Sequence, residues 1–126
     1  MVEQPHNPGP MTVTRTERDG SVIVRMIGEL DMTTVNLAAT VLDEVAGPRR
    51  TVVIDLTEIR FFASAGLNLL LQLHKDAVQR QMDVHLATEQ RAVLRPLALM
   101  GLADLFPIHA SVDEAISAAT RSDSAS

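Results

Sequence analysis

The chain has 126 residues, enough to bury a core for one domain and too few for two. A net charge of -5, with no Trp, no Tyr and three Phe, argues against nucleic acid, which calls for a basic stripe and usually stacking rings. No cysteine is present, which removes disulfides, thiolate chemistry and cysteine-held metals, and no stretch of about 18 apolar residues or secretory leader is seen, so a cytoplasmic, non-membrane protein is expected.

Residues 1–10 hold three prolines and a glycine, and the opposite end closes on "RSDSAS". Both are read as flexible tails, 1–10 and 120–126, around one domain over 11–119. "MTVTRTE" and "SVIVRMIG" are β-branched runs joined at Asp19-Gly20, a pair suited to a tight hairpin turn, so they should pair antiparallel. "MTTVNLAATVLDEVAG" places Val35, Leu37, Ala38, Val41, Leu42 and Val45 at helical spacing, with Gly47-Pro48 as its stop. "TVVIDLT" has the continuous apolar run of a central strand. Asp55 and Glu58 bracket the end expected for that strand, where solvated loop acids are the ordinary explanation.

A second helix should begin at Ser64, with Leu67, Leu70, Leu71, His74 and Val78 on its apolar stripe, and stop before "QRQMD". "VHLA" is a fourth strand, and "EQRAVLRPLALMG" a helix that Pro96 kinks or shortens. "PIHA" is a short fifth strand and "SVDEAISAA" a capped closing helix. The order belongs to the α/β class: a mixed four- to five-stranded sheet with an N-terminal antiparallel hairpin and flanking helices.

If the second and third strands run parallel across their helical connection, they end on one edge of the sheet and bring Asp31 and Ser64 together. Open α/β sheets meet ligands and partners at the carboxyl ends of strands. The candidate surface is therefore Glu29, Asp31, Thr33, Thr34, Ala63, Ser64, Ala65 and Gly66. Ser64 and Asp31 each stand where a helix N-cap belongs, the ordinary reading of both side chains. Ala63, Ala65 and Gly66 leave the Ser64 hydroxyl unshielded, which suits close approach by something larger. A phosphate there would add a charge of about -1.5 to -2 and suit a helix N-terminus, so its effect would fall on a partner rather than on the fold.

Other chemistry finds less support. "ASAG" is half of a nucleophile elbow, but Phe62 stands where the first glycine of G-x-S-x-G is required, and none of His6, His74, His85 and His109 is placed as a base. The histidines lack metal-site spacing, and neither G-x-x-x-x-G-K-[ST] nor G-x-G-x-x-G occurs, so no metal or cofactor is expected.

"GELDMTT" (28–34), "VVIDLTEIRFFASAGLNLLL" (52–71) and "LMGLADLFPIHASVDEAI" (99–116) together resemble the STAS domain family, and within it the bacterial anti-sigma factor antagonists. The resemblance implies the STAS fold and a partner-switching role: binding an anti-sigma serine kinase of the histidine-kinase-like ATPase fold frees a sigma factor. Phosphorylation of the serine matched by Ser64 ends the binding and a phosphatase restores it; Asp31 matches the acidic residue of the kinase-contacting loop, and ATP belongs to the partner. The family commonly reads Asp-Ser-x-Gly, whereas here the serine follows Ala63, so the neighbouring carboxylate is gone. The alternatives are a STAS module of a transport or lipid-transport complex without a phosphoswitch, and a small hydrolase. Oligomeric state is not legible in the sequence.

Overall fold

The hairpin at Asp19-Gly20 forms as its sequence demands. A computed structural model describes residues 11–125, in which β1 (Met11–Arg18) pairs antiparallel with β2 (Ser21–Leu30), and Asp19 and Gly20 take φ of 53° and 80°. Positive φ at both turn residues matches the twist of the flanking strands. The expected tail over 1–10 lies outside the described residues.

Five strands form one sheet in the order β1-β2-β3-β4-β5, with β2, β3 (Thr51–Phe62), β4 (Asp83–Ala87) and β5 (Ile108–His109) parallel. Four helices connect or close it: α1 (Val35–Val45), α2 (Ser64–Arg80), α3 (Arg91–Leu99) and α4 (Val112–Ala125). The larger core lies on the face packed by the first three helices, where Val24, Met26, Ile54, Leu56 and Leu86 meet Leu42, Leu70 and Leu97. Helix α4 covers the other face with Ala115 and Ile116 against Ile23, Val53 and Ala87. Ser111 caps it, its Oγ accepting from Glu114 N–H at 3.2 Å, and it runs past the expected end at 119.

Strand β3 departs most from expectation. The strand continues beyond Thr57 to Phe62, and two extra residues relative to β2 break the alternation that would have revealed it. Arg25 pairs with Asp55 but Ile27 with Glu58, and Gly28 pairs with Ile59 but Glu29 with Phe61. Such bulges bend a strand and raise its twist. Asp55 marks the first: its Oδ1 accepts from Thr57 N–H at 3.0 Å and Thr57 Oγ1 at 2.7 Å. Asp55 and Glu58 are thus mid-strand rather than loop acids. Asp55 is buried, with Arg25 Nε 3.7 Å from its Oδ2, and Arg25 Nη2 donates to Glu58.

Helix α2 is rotated from its expected stripe. Gly66, Leu70, Leu73 and Ala77 are buried, whereas Val78 is 65% exposed and Leu67, Leu71 and His74 are only partly covered. The run of three leucines at 69–71 satisfies more than one helical stripe, and the smaller Gly66 and Ala77 decide which one approaches the sheet. The helix continues to Arg80 and stops where Gln81 takes φ of 56°. At the end of α1, Gly47 is not left-handed as a C′ glycine would be: Ala46 is extended and its N–H bonds Leu42 C=O at 3.0 Å. Pro96 sits inside α3, which spans nine residues, consistent with shortening.

Candidate functional site

The pairing of Leu30 with Phe62 ends β2 and β3 side by side, and Ala63 N–H donates to Leu30 C=O at 3.0 Å. Asp31 therefore follows one strand directly where Ala63 and Ser64 follow its neighbour. The eight candidate residues do share one edge of the sheet, but not one role.

Ser64 is exposed and is the first residue of α2, not its N-cap. Ala63 holds that position in extended conformation, its carbonyl accepting from Gly66 N–H at 2.9 Å and Leu67 N–H at 3.3 Å. Neither the hydroxyl nor the N–H of Ser64, nor the N–H of Ala65, has an acceptor among the described residues. Those two amides are the free donors at the positive end of a helix of 17 residues. An oxyanion on Ser64 Oγ would find them without rearrangement.

Asp31 does not cap α1 either; the N-cap is Thr34, and Asp31 closes a turn ahead of the helix. Its Oδ1 accepts from Thr33 N–H at 2.9 Å and Thr33 Oγ1 at 2.7 Å. The side-chain bond from Thr33, and then its amide, hold the Asp31 carboxyl below the ordinary aspartate value. The folded state thus binds this proton less tightly than the unfolded chain does. The resulting stabilisation is complete above the ordinary value and is lost as pH falls through the lowered one. An NMR pH titration should accordingly show the Thr33 amide moving with a midpoint below that of an unstructured aspartate, and Asp31→Asn should abolish the step.

Thr34 and Gly66 are supports rather than contact residues. Thr34 is 2% exposed, and its hydroxyl donates to Glu29 C=O at 2.8 Å and accepts from Asp31 N–H at 3.0 Å. Gly66 is buried, and a Cβ there would stand 2.7 Å from Phe62 Cε1 and 3.1 Å from Leu30 Cδ2. It lets α2 close onto the strand ends; it does not open the hydroxyl. Thr33 is exposed, and Glu29, Ala63 and Ala65 are half-buried. Sequence reasoning missed two exposed apolar side chains near this edge, Met32 at 75% and Phe61 at 51% exposed. Phe61 was readable in principle: once Phe62 is assigned inward, strand alternation turns Phe61 out.

The described histidines lie elsewhere. His85 is buried, its register partner Val53 is nine residues along β3 from Phe62, and its Nδ1 is 3.1 Å from His109 Nε2. His74 is ten residues along α2 and meets Phe106 edge-on. At 1.5 Å per helical residue and about 3.3 Å per strand residue, each is more than about 12 Å from Ser64, too far for a general base. His6 lies outside the described residues. Among the described residues, no cluster of three His, Asp or Glu could hold a metal ion, and no helix is long and apolar enough to cross a membrane.

The STAS domain family model matches residues 12–115. The anti-sigma-F factor antagonist RsfB of Mycobacterium tuberculosis is 26% identical over 110 residues, covering 86% of this chain and 89% of that protein. An anti-sigma F factor antagonist of Paenibacillus polymyxa is 30% identical over 92 residues, 71% of this chain and 79% of its own length. The crystal structure of an anti-sigma factor antagonist from Mycobacterium paratuberculosis superposes with a TM-score of 0.80 at 27% identity, covering 90% of this chain and 97% of that one.

Proposed function

We propose that this chain, which belongs to the STAS domain family, acts as an anti-sigma factor antagonist switched by phosphorylation of Ser64. It binds an anti-sigma factor that is a serine kinase of the histidine-kinase-like ATPase fold, and so releases a sigma factor. The kinase transfers the γ-phosphoryl group of its ATP to Ser64 Oγ, leaving ADP, and a phosphatase later hydrolyses the ester. The relatives named anti-sigma-F factor antagonists favour the partner class. One observation carries the switch: an exposed, unpartnered hydroxyl in the first turn of α2, beside two unpartnered amides.

Those amides and the helix dipole stabilise a phosphate where it is made, so modification leaves the fold intact and changes the charge of the surface. The partner then meets about two negative charges on an edge where Asp31 is already held ionised. Like charges set against each other across a desolvated contact cost several kcal/mol, and about 1.4 kcal/mol is already tenfold in affinity. The carboxylate that usually precedes the serine is absent, and the kinase contact falls instead on Asp31, Thr33 and the half-buried Ala63 and Ala65.

The test is binding of the purified protein to the anti-sigma ATPase of its own host. Ser64→Glu should weaken it at least about tenfold with a thermal midpoint close to wild type, and Ser64→Ala should bind normally but take no phosphate from labelled ATP. Equal affinity of wild type and Ser64→Glu would remove the switch. Recovery of membrane transport components by both forms would favour the transport-module alternative.

A further inference from the structure

Helices α1 and α2 both start at the edge that carries Ser64, and between them lies a groove of about 400 Å³. One wall is Val35, Ala39, Leu42 and Ala46; the other is Ala65, Leu69, Leu73 and Asp76. Each set recurs every three or four residues over three helical turns, about 16 Å at 1.5 Å per residue. Val35 and Ala65 lie at the Ser64 end, and Ala46 and Asp76 at the far end. Asp43 joins Asp76 there, no basic side chain lines the groove, and neither carboxylate has a cation partner among the described residues.

The groove is thus mainly apolar, with Asn68 and Gln72 as polar side chains along its α2 side, and polarised from end to end. Its Ser64 end carries the positive termini of two helices; its far end carries the negative terminus of α1 and two unpaired carboxylates, while α2 runs on about one further turn to Arg80. We propose that it seats an amphipathic α-helix of a protein partner, antiparallel to α1 and α2, with Lys or Arg in its first turn against Asp43 and Asp76. The apolar residues of such a helix, three and four apart, fit between the two walls. Its own dipole complements the groove at both ends, its N-terminus meeting the carboxylates and its C-terminal carbonyls the N-termini of α1 and α2. One consequence rests on the function proposed above: a phosphate on Ser64, next to Ala65, would confront the negative end of the seated helix.

A labelled synthetic 14-residue helix of Leu, Ala and Lys, with leucines at i, i+4, i+7 and i+11 and two lysines in its first turn, is the probe. Anisotropy titration reads its affinity, and amide shift changes in the 15N-labelled protein read its position. The expected shifts fall on α1 and α2 along the groove. Asp43→Lys with Asp76→Lys should weaken binding about tenfold, as two reversed surface ion pairs would. Ala39→Phe, which fills the groove from a half-buried helical position, should abolish it while circular dichroism stays native.

No binding, shifts outside the groove, or equal affinity for a matched peptide with glutamates in place of the lysines would overturn the proposal. A working Ser64 switch with no peptide binding would reject the groove alone. Groove binding with an anti-sigma factor indifferent to Ser64→Glu would reject the switch alone.

Discussion

Gly66→Leu is expected to destabilise the protein by about 3 kcal/mol, the upper end of ordinary overpacking, whereas Ala65→Ser one position earlier should change stability by no more than about 0.5 kcal/mol. A mere Cβ on Gly66 already stands 2.7 Å from Phe62 Cε1 and 3.0 Å from its Cδ1. That ring is buried, and the same Cβ would also stand 3.1 Å from Leu30 Cδ2. Gly66→Ala sets two effects against each other: helix propensity favours alanine by about 1 kcal/mol, while the clash costs about 1–3 kcal/mol. A small net loss should result. Thermal or urea unfolding measures both, and the double variant Phe62→Leu, Gly66→Ala should be less destabilised than the sum of its parts, because trimming the ring removes the atoms that the methyl meets. Additive losses would show that Phe62 is not what excludes a side chain from this position.

The same contact shows where sequence reading reaches its limit. A glycine two residues after a serine, opening a helix, invites the view that it exposes the hydroxyl; only the register of Leu30 against Phe62 shows that it faces inward. The parallel pairing of β2 with β3, and hence the meeting of Asp31 and Ser64, was legible from chain order and connection length. The hairpin at Asp19-Gly20 was legible from two residues. What was not legible is tertiary in origin. Two bulges in β3 hide its last five residues from a period-two reading, and the apolar stripe of α2 is selected by how closely small residues let it approach the sheet. Both N-cap readings failed for a common reason. Asp31 and Ser64 have the right chemistry, but α1 takes its N-cap three residues after Asp31, at Thr34, and α2 takes its N-cap one residue before Ser64, at Ala63, so a turn and a free hydroxyl stand there instead.

Thr34→Val should cost about 2–4 kcal/mol and disorder the turn that carries Asp31, although the substitution changes volume little. The Thr34 hydroxyl is buried and serves two backbone groups at once, donating to Glu29 C=O and accepting from Asp31 N–H. A valine methyl satisfies neither. Two part-buried backbone groups would lose this partner, each at about 1–3 kcal/mol, less whatever water reaches the loop. Thr34→Ser keeps the hydroxyl and should recover most of the loss, which separates the hydrogen bonds from the packing of the methyl. The turn reports independently of global stability: with Thr34 replaced, the Asp31 carboxyl loses a donor and the geometry that presents it to Thr33, so its titration should move up toward the ordinary aspartate value. If Thr34→Val lowers stability but leaves that titration unchanged, Thr34 supports the strand ends without shaping the Asp31 turn. If both move together, a residue with almost no exposed surface sets the form of the loop that a partner would touch.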